Sequence, residues 1–568
     1  MKTTTPFLVG ILTSLMLVTG TSYSQSLIPD FAMHFLASTD DEIQKSTVDQ
    51  GGNLYLVGTF KSPQLIFGTD TLTRQGNNDL FLVKMDADTN VVFCKSFYNQ
   101  GVAKVTGIAL DSANNIYMTG YYRDTIRFDN YAFKAVSPYS WANSSFVLKT
   151  DPAGNTTWAK AFGGNSSSGS MVLDKHDNVY ISGWFGESFT IQEPVVGSTP
   201  ILYTANPGNL SRGFMLKTNT DGRTQWLKSY GGDLMIDKEQ NLYFAGSYMD
   251  SIYLENHILR TYINKENHNV YLAKADTNGH VIWAKKFCEG EHALLNGAVI
   301  DTVTNTIFLT GTFKTDSLTF GDKIIRNHGL ADIYIAKINT EGIVQMAKSV
   351  GTEDCEYAWG LTRISSEYIV LLGTTFSDSI VWGNNIIYGG TAQTGYGDMF
   401  LAVFDNDMNP VWGRGFPKSS GQELKGIVAD ANQNVYVVGD FCSSGTGSKM
   451  KAISTGAAGT SPTYIEQTSL YLVKFKIGGI SSSIPDTPLQ AISMYPNPTN
   501  KYLNISVGNN TVLSSVRITS LEGKRVYAQP LEKGVNAIDI SHLPKGIYMV
   551  RVQTGNKYTT AKLIKNQF

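Results

Sequence analysis

The chain has 568 residues, 42% of them hydrophobic and only 17% charged, with a formal net charge of −2. This balance suits several cores or one large repeat array, and it argues against a nucleic-acid binder, which presents a basic face. Fifty-four glycines and an aromatic share of 11% fit turn-rich β structure, and no long stretch of 3.6-residue period follows the N-terminus.

Residues 1–24 read as a secretory signal peptide: Lys2 supplies the positive start, 7–18 the apolar run, and Ser22 and Ser24 the small pair before a cut near Ser24/Gln25. The apolar run is too short to span a bilayer, no cysteine follows the cut, and no later segment reads as transmembrane. Residues 25–478 are then dominated by one repeated stretch. Asn53-Leu54-Tyr55-Leu56-Val57-Gly58 returns around Gly120, Gly183, Gly246, Gly311, Gly373 and Gly439. A period near sixty in β-branched and aromatic residues means stacked sheet units.

Within a unit the order is fixed. A short apolar strand (Val105 to Leu110) precedes an Asp/Asn turn (Asp111 to Asn115) and a Tyr-rich strand ending at Gly120. A variable loop leads to Ser145-Phe146-Val147-Leu148-Lys149, a second turn (Asp151 to Asn155), and a Trp-x-Lys strand from Thr157. Four short strands per unit describe a propeller blade. The last unit lacks its Trp-x-Lys strand, and an orphan copy, Phe31-Ala32-Met33-His34-Phe35, stands before the first. The expectation is an all-β chain: a seven-bladed β-propeller of four-stranded blades whose N-terminal strand closes the last blade, removing open edges. The pattern Asp-x-x-Gly-Asn, Asp-x-Phe-apolar-Lys, Trp and Gly-Gly resembles the bacterial SBBP-type propeller repeat over about 31–475. That resemblance implies a fold and no activity.

The polar residues that stand out mostly belong to the repeat. Six Asp-x-x-x-Asn turns (Asp49/Asn53, Asp111/Asn115, Asp174/Asn178, Asp237/Asn241, Asp301/Asn305, Asp430/Asn434) could gather oxygens for Ca²⁺, but hairpin capping explains them better. Aromatics after each repeat glycine (Phe60, Tyr122, Phe185, Tyr248, Phe313, Phe376, Phe441) read as packing between blades. Asp-Ser/Thr-apolar triplets such as Asp124-Thr125-Ile126 and Asp250-Ser251-Ile252 resemble an O-glycosylation acceptor motif, with a structural turn as the preferred reading. Three aromatics break the repeat: Tyr139, Trp141 and Trp184, in or beside the long loops 123–144, 186–212 and 442–468. They are the candidate ligand-binding aromatics, since loops on a rigid scaffold carry recognition. Cys94, Cys288, Cys355 and Cys442 are too dispersed for zinc or a redox dithiol and read as free cysteines. No nucleophile elbow, zinc-protease motif or phosphate loop occurs, so no catalytic residue, metal site or cofactor is assigned.

Residues 479–490 are a Gly/Ser/Pro linker, and 491–568 carry six or seven short strands expected to form a small immunoglobulin-like sandwich. The ordered matches Tyr495-Pro496-Asn497-Pro498, Leu521-Glu522-Gly523-Lys524, Gly546-Ile547-Tyr548 and Lys562-Leu563-Ile564-Lys565 closely resemble the type A C-terminal sorting domain of the type IX (Por) secretion system of Bacteroidetes. That resemblance marks Tyr495, Pro496, Asn497, Pro498, Gly523, Gly546 and Tyr548 as the sorting motif. It implies as partners the type IX secretion machinery and a sortase-like peptidase, and delivery through periplasm and outer membrane to the medium or cell surface. Ten lysines and arginines against three acids give this module a basic surface that suits acidic machinery, lipid or plain solvent.

The expected function is an exported, non-catalytic propeller whose ligand is a polysaccharide or a surface protein. The alternative is a secreted polysaccharide hydrolase or lyase with its site on the loop face. Concentration of unpaired carboxylates and aromatics in one pocket would favour the alternative.

Overall fold

Leu54–Phe60 is buried along its whole length. A strand covered on both faces needs a continuous apolar run rather than alternation, and Leu-Tyr-Leu-Val-Gly-Thr-Phe supplies it. The computed structural model describes residues 29–36, 41–135, 142–193, 201–204, 213–261, 268–288, 292–364, 366–377, 379–382, 385–388, 397–416, 422–441, 450–451, 464–465, 469–476, 493–497, 499–507, 514–520, 525–531, 534–554 and 557–566. Among these every regular element is a β-strand. The chain divides into two compact units, Met1–Gly478 and Gly479–Phe568.

In the first unit the repeat builds antiparallel sheets in chain order. Glu42–Val48, Leu54–Phe60, Asp79–Met85 and Val91–Phe97 form one. Ala103–Leu110, Ile116–Tyr122, Ser144–Thr150 and the start of Thr156–Leu173 form the next, and the far end of that long strand opens the sheet of Val179–Gln192, Gly213–Thr218 and Thr224–Lys228. Further sheets begin at Asp233–Ile236, Ala293–Asp301 and Glu356–Arg363. The last joins Gln422–Ala429, Asn434–Phe441 and Ser469–Lys476 to Pro29–Leu36, with Met33 opposite Leu472. The N-terminal strand thus supplies the outer strand that the last repeat lacks. The expected variable loop holds a further element. Gln64–Phe67/Asp70–Thr73, Thr125–Phe128/Tyr131–Lys134, Ser251–Leu254/His257–Arg260 and Ser317–Phe320/Lys323–Arg326 are small hairpins. The Asp-Ser/Thr-apolar triplets help build them: Asp124 and Asp250 stand at positive φ just before a hairpin, and their carbonyls accept Ala135 and Thr261 N–H to close it.

The first strand of each sheet packs against the first strand of the next, and Gln422–Ala429 packs against Glu42–Val48, so the row closes on itself. Sheets arranged around a closed row of inner strands are the architecture of a β-propeller. Layered cores lie between successive sheets; one combines Val57 and Leu82 with Val105, Met118 and Phe146.

The repeat glycine has a steric cause. A Cβ on Gly58 would stand 1.9 Å from the Glu42 carbonyl oxygen, and one on Gly120 2.1 Å from that of Lys104. The inner strand comes this close because it bulges there. Register slips by one residue between Ile43 and Lys45, Val105 and Gly107, Leu295 and Gly297, Ala358 and Gly360, and Leu424 and Gly426. A bulge kinks the strand and re-aims a side chain.

In the second unit, Ser493–Tyr495, Tyr502–Val507 and Gly534–Asp539 form one sheet, and Arg525–Leu531, Ser514–Ser520, Gly546–Thr554 and Lys557–Lys565 another. Leu503, Ile505 and Ile538 of the first meet Val516, Ile518, Val550 and Leu563 of the second in one core. This is the expected small sandwich.

Candidate functional site

The two ends of each inner strand carry different chemistry. At the turn end the same network recurs. The Asp111 carboxylate accepts Asn115 N–H and Asn115 Nδ2 at 2.8 Å each and Tyr117 O–H at 3.2 Å, and it pairs with Lys149 Nζ at 3.2 Å. Asp49, Asp174, Asp237 and Asp430 accept the equivalent Asn and Tyr donors. Burial pushes the Asp111 carboxyl up, but the hydrogen bonds from Asn115 and the nearby Lys149 outweigh it, and the net shift is downward. These carboxylates are hairpin caps. Asp301 departs from the pattern: Val303 N–H, Thr304 O–H and Arg363 take the place of Asn305, whose amide reaches Glu239 instead. Arg363 comes from the unit whose own turn lacks the Asp, so one irregular turn is tied to another.

The outer strand locks onto the following unit. Trp158 Nε1 donates to the Thr220 carbonyl at 2.9 Å and Trp226 Nε1 to that of Thr277 at 3.1 Å. Gly222, at φ +79°, lies against the Trp158 ring, where a Cβ would approach to 2.7 Å. The aromatics after the repeat glycine are also packing residues: Phe60, Tyr122, Phe185, Tyr248 and Phe313 are buried.

Around the bulges the repeat breaks down. The bulges open onto a polar cavity of about 320 Å³ lined by all of the inner strands. At one level the successive strands contribute Lys45, Gly107, Ser170, Asp233, Gly297, Gly360 and Gly426. Glycine or serine at five positions leaves the cavity open, and a lysine and an aspartate project at the other two. In the closed row these two strands are three apart one way and four apart the other, so the charges stand on opposite sides. Trp359, Asn296, Thr106 and Lys425 line the cavity from the adjacent bulge positions. Trp359 is exposed, with its Nε1 held by Thr374 Oγ1 at 2.7 Å.

Lys45 and Asp233 are both exposed to solvent, in a cavity walled by the inner strands. That enclosure lowers the Lys45 pKa, opposed by the attraction of Asp233 and reinforced by Lys104. It raises the Asp233 pKa against the attraction of Lys45. Asp233 is the one carboxylate among the described residues lining this cavity. Among the described residues no group of three or more His, Cys, Asp or Glu side chains is placed to hold a metal ion.

Of the candidate aromatics, Tyr139 and Trp141 lie outside the described residues. Trp184 is in a strand rather than a loop: it is exposed within Val179–Gln192, opposite Ser167 and Gly213. Sequence reading missed Lys45, Asp233 and Trp359. A usable signal existed. Lys45 is thirteen places before Gly58, Asp233 thirteen before Gly246, and Gly107, Gly360 and Gly426 hold the same place in their repeats. Cys94 and Cys355 are free, Cys288 is buried with its sulfur 3.2 Å from Val270 N, and Cys442 lies outside the described residues. Burial first, then Asp70, pushes the Cys94 thiol up to about 11, so it is not a reactive thiolate.

In the C-terminal unit the sorting-motif residues hold the last strand. Asn497 Oδ1 accepts Ile564 N–H at 2.8 Å, and Thr499 exchanges backbone hydrogen bonds with Ile564 and Asn566. Tyr548 is buried and donates to the Pro544 carbonyl at 2.8 Å. Gly546 opens its strand opposite Lys565. Tyr495 and Pro496 are exposed, while Pro498, Gly523, the signal segment and the linker fall outside the described residues. Among the described residues no helix is long and apolar enough to cross a membrane.

Comparison with known proteins gives relatives for both units. The chain is 22% identical over 533 residues to an uncharacterised WD repeat-containing protein of Acanthamoeba polyphaga mimivirus, a match covering 82% of this chain. This chain spans only 34% of that protein's length. Among solved structures, a catalytically inactive virginiamycin B lyase from Staphylococcus aureus with quinupristin aligns at 9% identity and a TM-score of 0.37, covering 78% of this chain and 99% of that one. A quinonprotein alcohol dehydrogenase-like protein from Bacteroides thetaiotaomicron aligns at 8% identity and 0.24, covering 66% and 94%. Residues 493–566 match the Por_Secre_tail family, and this part of the chain is a secretion system C-terminal sorting domain.

Proposed function

We propose that this chain is an exported, non-catalytic, seven-bladed propeller that binds its ligand in the central channel and leaves the cell through the type IX secretion system. The sorting domain supports the export half; the signal peptide at 1–24 and a sortase-like peptidase acting on the tail complete the route. A stop codon at 491 should leave the protein in the periplasm, and its appearance in the medium or on the cell surface would contradict the route.

One observation carries the binding half. At the bulge level, residues that depart from the repeat (Lys45, Asp233 and Trp359) face one channel, whereas the recurring residues cap turns and pack blades. A scaffold needs the recurring residues; it has no need of an unpaired lysine, an unpaired aspartate and an exposed tryptophan facing one cavity. Glycoside hydrolysis uses two carboxylates, and the described lining of this cavity offers Asp233 alone. Thermal unfolding of the full chain against a panel of polysaccharides and small metabolites tests the reading, because a ligand of the folded state raises the transition by mass action. A saturable rise that is lost in Trp359→Ala supports it. A rise unchanged by channel substitutions would move the site elsewhere.

A further inference from the structure

Lys45 and Asp233 occupy equivalent places in two repeats, at one level of the channel and on opposite sides of it. Neither side chain has a hydrogen bond or an ion pair with a described residue. Their attraction across the channel is unconsummated, and both are exposed to the cavity. Opposite charges exposed on facing walls of one cavity favour a ligand that brings the matching charges between them. The neighbouring glycines leave room between them, and the cavity of about 320 Å³ suits a small ligand rather than a folded partner. Beside this gap stands Trp359, fixed by Thr374 and open to the channel. An indole face there receives an apolar or aromatic group.

Building on the binding reading above, we propose that the channel takes a small zwitterion, an α-amino acid or short peptide. Its carboxylate faces Lys45, its ammonium faces Asp233, and its side chain lies against Trp359. The other charges near the ring do not change the choice. Lys104, beside Lys45, and Lys425, on the cavity wall, add positive charge and strengthen the pull on a carboxylate, while Asn296, Thr106 and Ser170 offer neutral hydrogen bonds along the wall. A plain anion would leave Asp233 unmatched and repelled, and a plain cation would do the same to Lys45. Only a ligand carrying both charges satisfies both residues.

The test is calorimetric titration of the full chain with L-phenylalanine, Gly-Phe and Gly-Gly-Phe, which carry the same two charges at increasing separation. Each is compared with its N-acetyl and C-amide forms. One member of the series should bind best, and blocking either terminus should weaken it at least about tenfold, since each block removes a charge-assisted contact. Asp233→Asn should abolish the discrimination against N-acetylation and leave that against amidation. Lys45→Met should do the reverse. Such a crossed pattern is not produced by general damage to the fold. If no member of the series binds while a polysaccharide does so in a Trp359-dependent way, the zwitterion is wrong and channel binding stands. If neither binds in the channel, both readings fall.

Discussion

The two ends of each inner strand teach different things. At the turn end, Asp, Asn and Tyr recur with nearly the same distances from unit to unit, and every carboxylate oxygen described for Asp111 has a donor. At the bulge end, the same register position holds Lys45, Gly107, Ser170, Asp233, Gly297, Gly360 and Gly426, and the two charged members have no ion pair among the described residues. Repetition with satisfied partners marks what the fold requires. Departure from repetition without partners marks what the fold tolerates. Stability belongs to the turn end, and the binding we propose belongs to the bulge end.

This division can be broken most severely at the glycine that permits the bulge. Gly120→Ala would bring a Cβ to 2.1 Å from the Lys104 carbonyl oxygen and 2.7 Å from the Phe146 ring. Backbone must move, and we expect a loss of about 3 kcal/mol or more by urea unfolding, in the range of severe core strain. A loss below about 1 kcal/mol would mean that the inner strand relaxes easily and that the bulge is not fixed by packing. Next in size is Asp111→Ala, which strips the donors of Asn115, Tyr117 and Lys149 of their acceptor. Several lost hydrogen bonds around a buried cap predict about 2 kcal/mol.

The two ends should also respond to acid with opposite signs. Asp49, Asp111, Asp174 and Asp301 have depressed pKa values in the fold. Their contribution is complete above the unfolded value of about 3.9 and is lost as pH falls through the folded values. Asp233 has a raised pKa. Its charged form is a penalty above that raised value, and the penalty disappears as pH falls toward the unfolded value. Urea midpoints of the wild type and Asp233→Asn, followed from pH 7 down to about 4, should therefore converge. Midpoints that diverge toward low pH would show that the Asp233 carboxylate is stabilising where it stands.

Much of this architecture was legible from the repeat. Aligned glycines gave the sheet units, and the misplaced Phe31-Ala32-Met33-His34-Phe35 copy announced the closing strand. The Asp/Asn turns were readable as caps because the residues that make them are local, four places apart. The hairpins such as Thr125–Phe128/Tyr131–Lys134 were hidden because their four-residue strands are too short for alternation to declare itself. The bulge was hidden for a different reason. Register belongs to two strands at once, and Ile43-Gln44-Lys45 alone does not say which residue is skipped opposite Gly58. Without the bulge nothing in the sequence distinguishes the place about thirteen before each repeat glycine, whereas the loop aromatics stand out by residue type. Trp184 shows the limit of that approach: it breaks the repeat in type, yet it occupies an ordinary strand position between Ser167 and Gly213.

The smallest expected effect is also the most telling one. Lys45→Met with Asp233→Asn removes two exposed charges that have no ion pair among the described residues, and such replacements are commonly close to neutral. The decisive measurement is the urea unfolding of this double variant beside Asp111→Ala at pH 7, both against the wild type. The account predicts a loss of about 2 kcal/mol for Asp111→Ala and no loss, or a small gain, for the channel variant. A channel variant that loses as much as Asp111→Ala would show that Lys45 and Asp233 serve the fold, and would remove the ground for placing recognition in the channel.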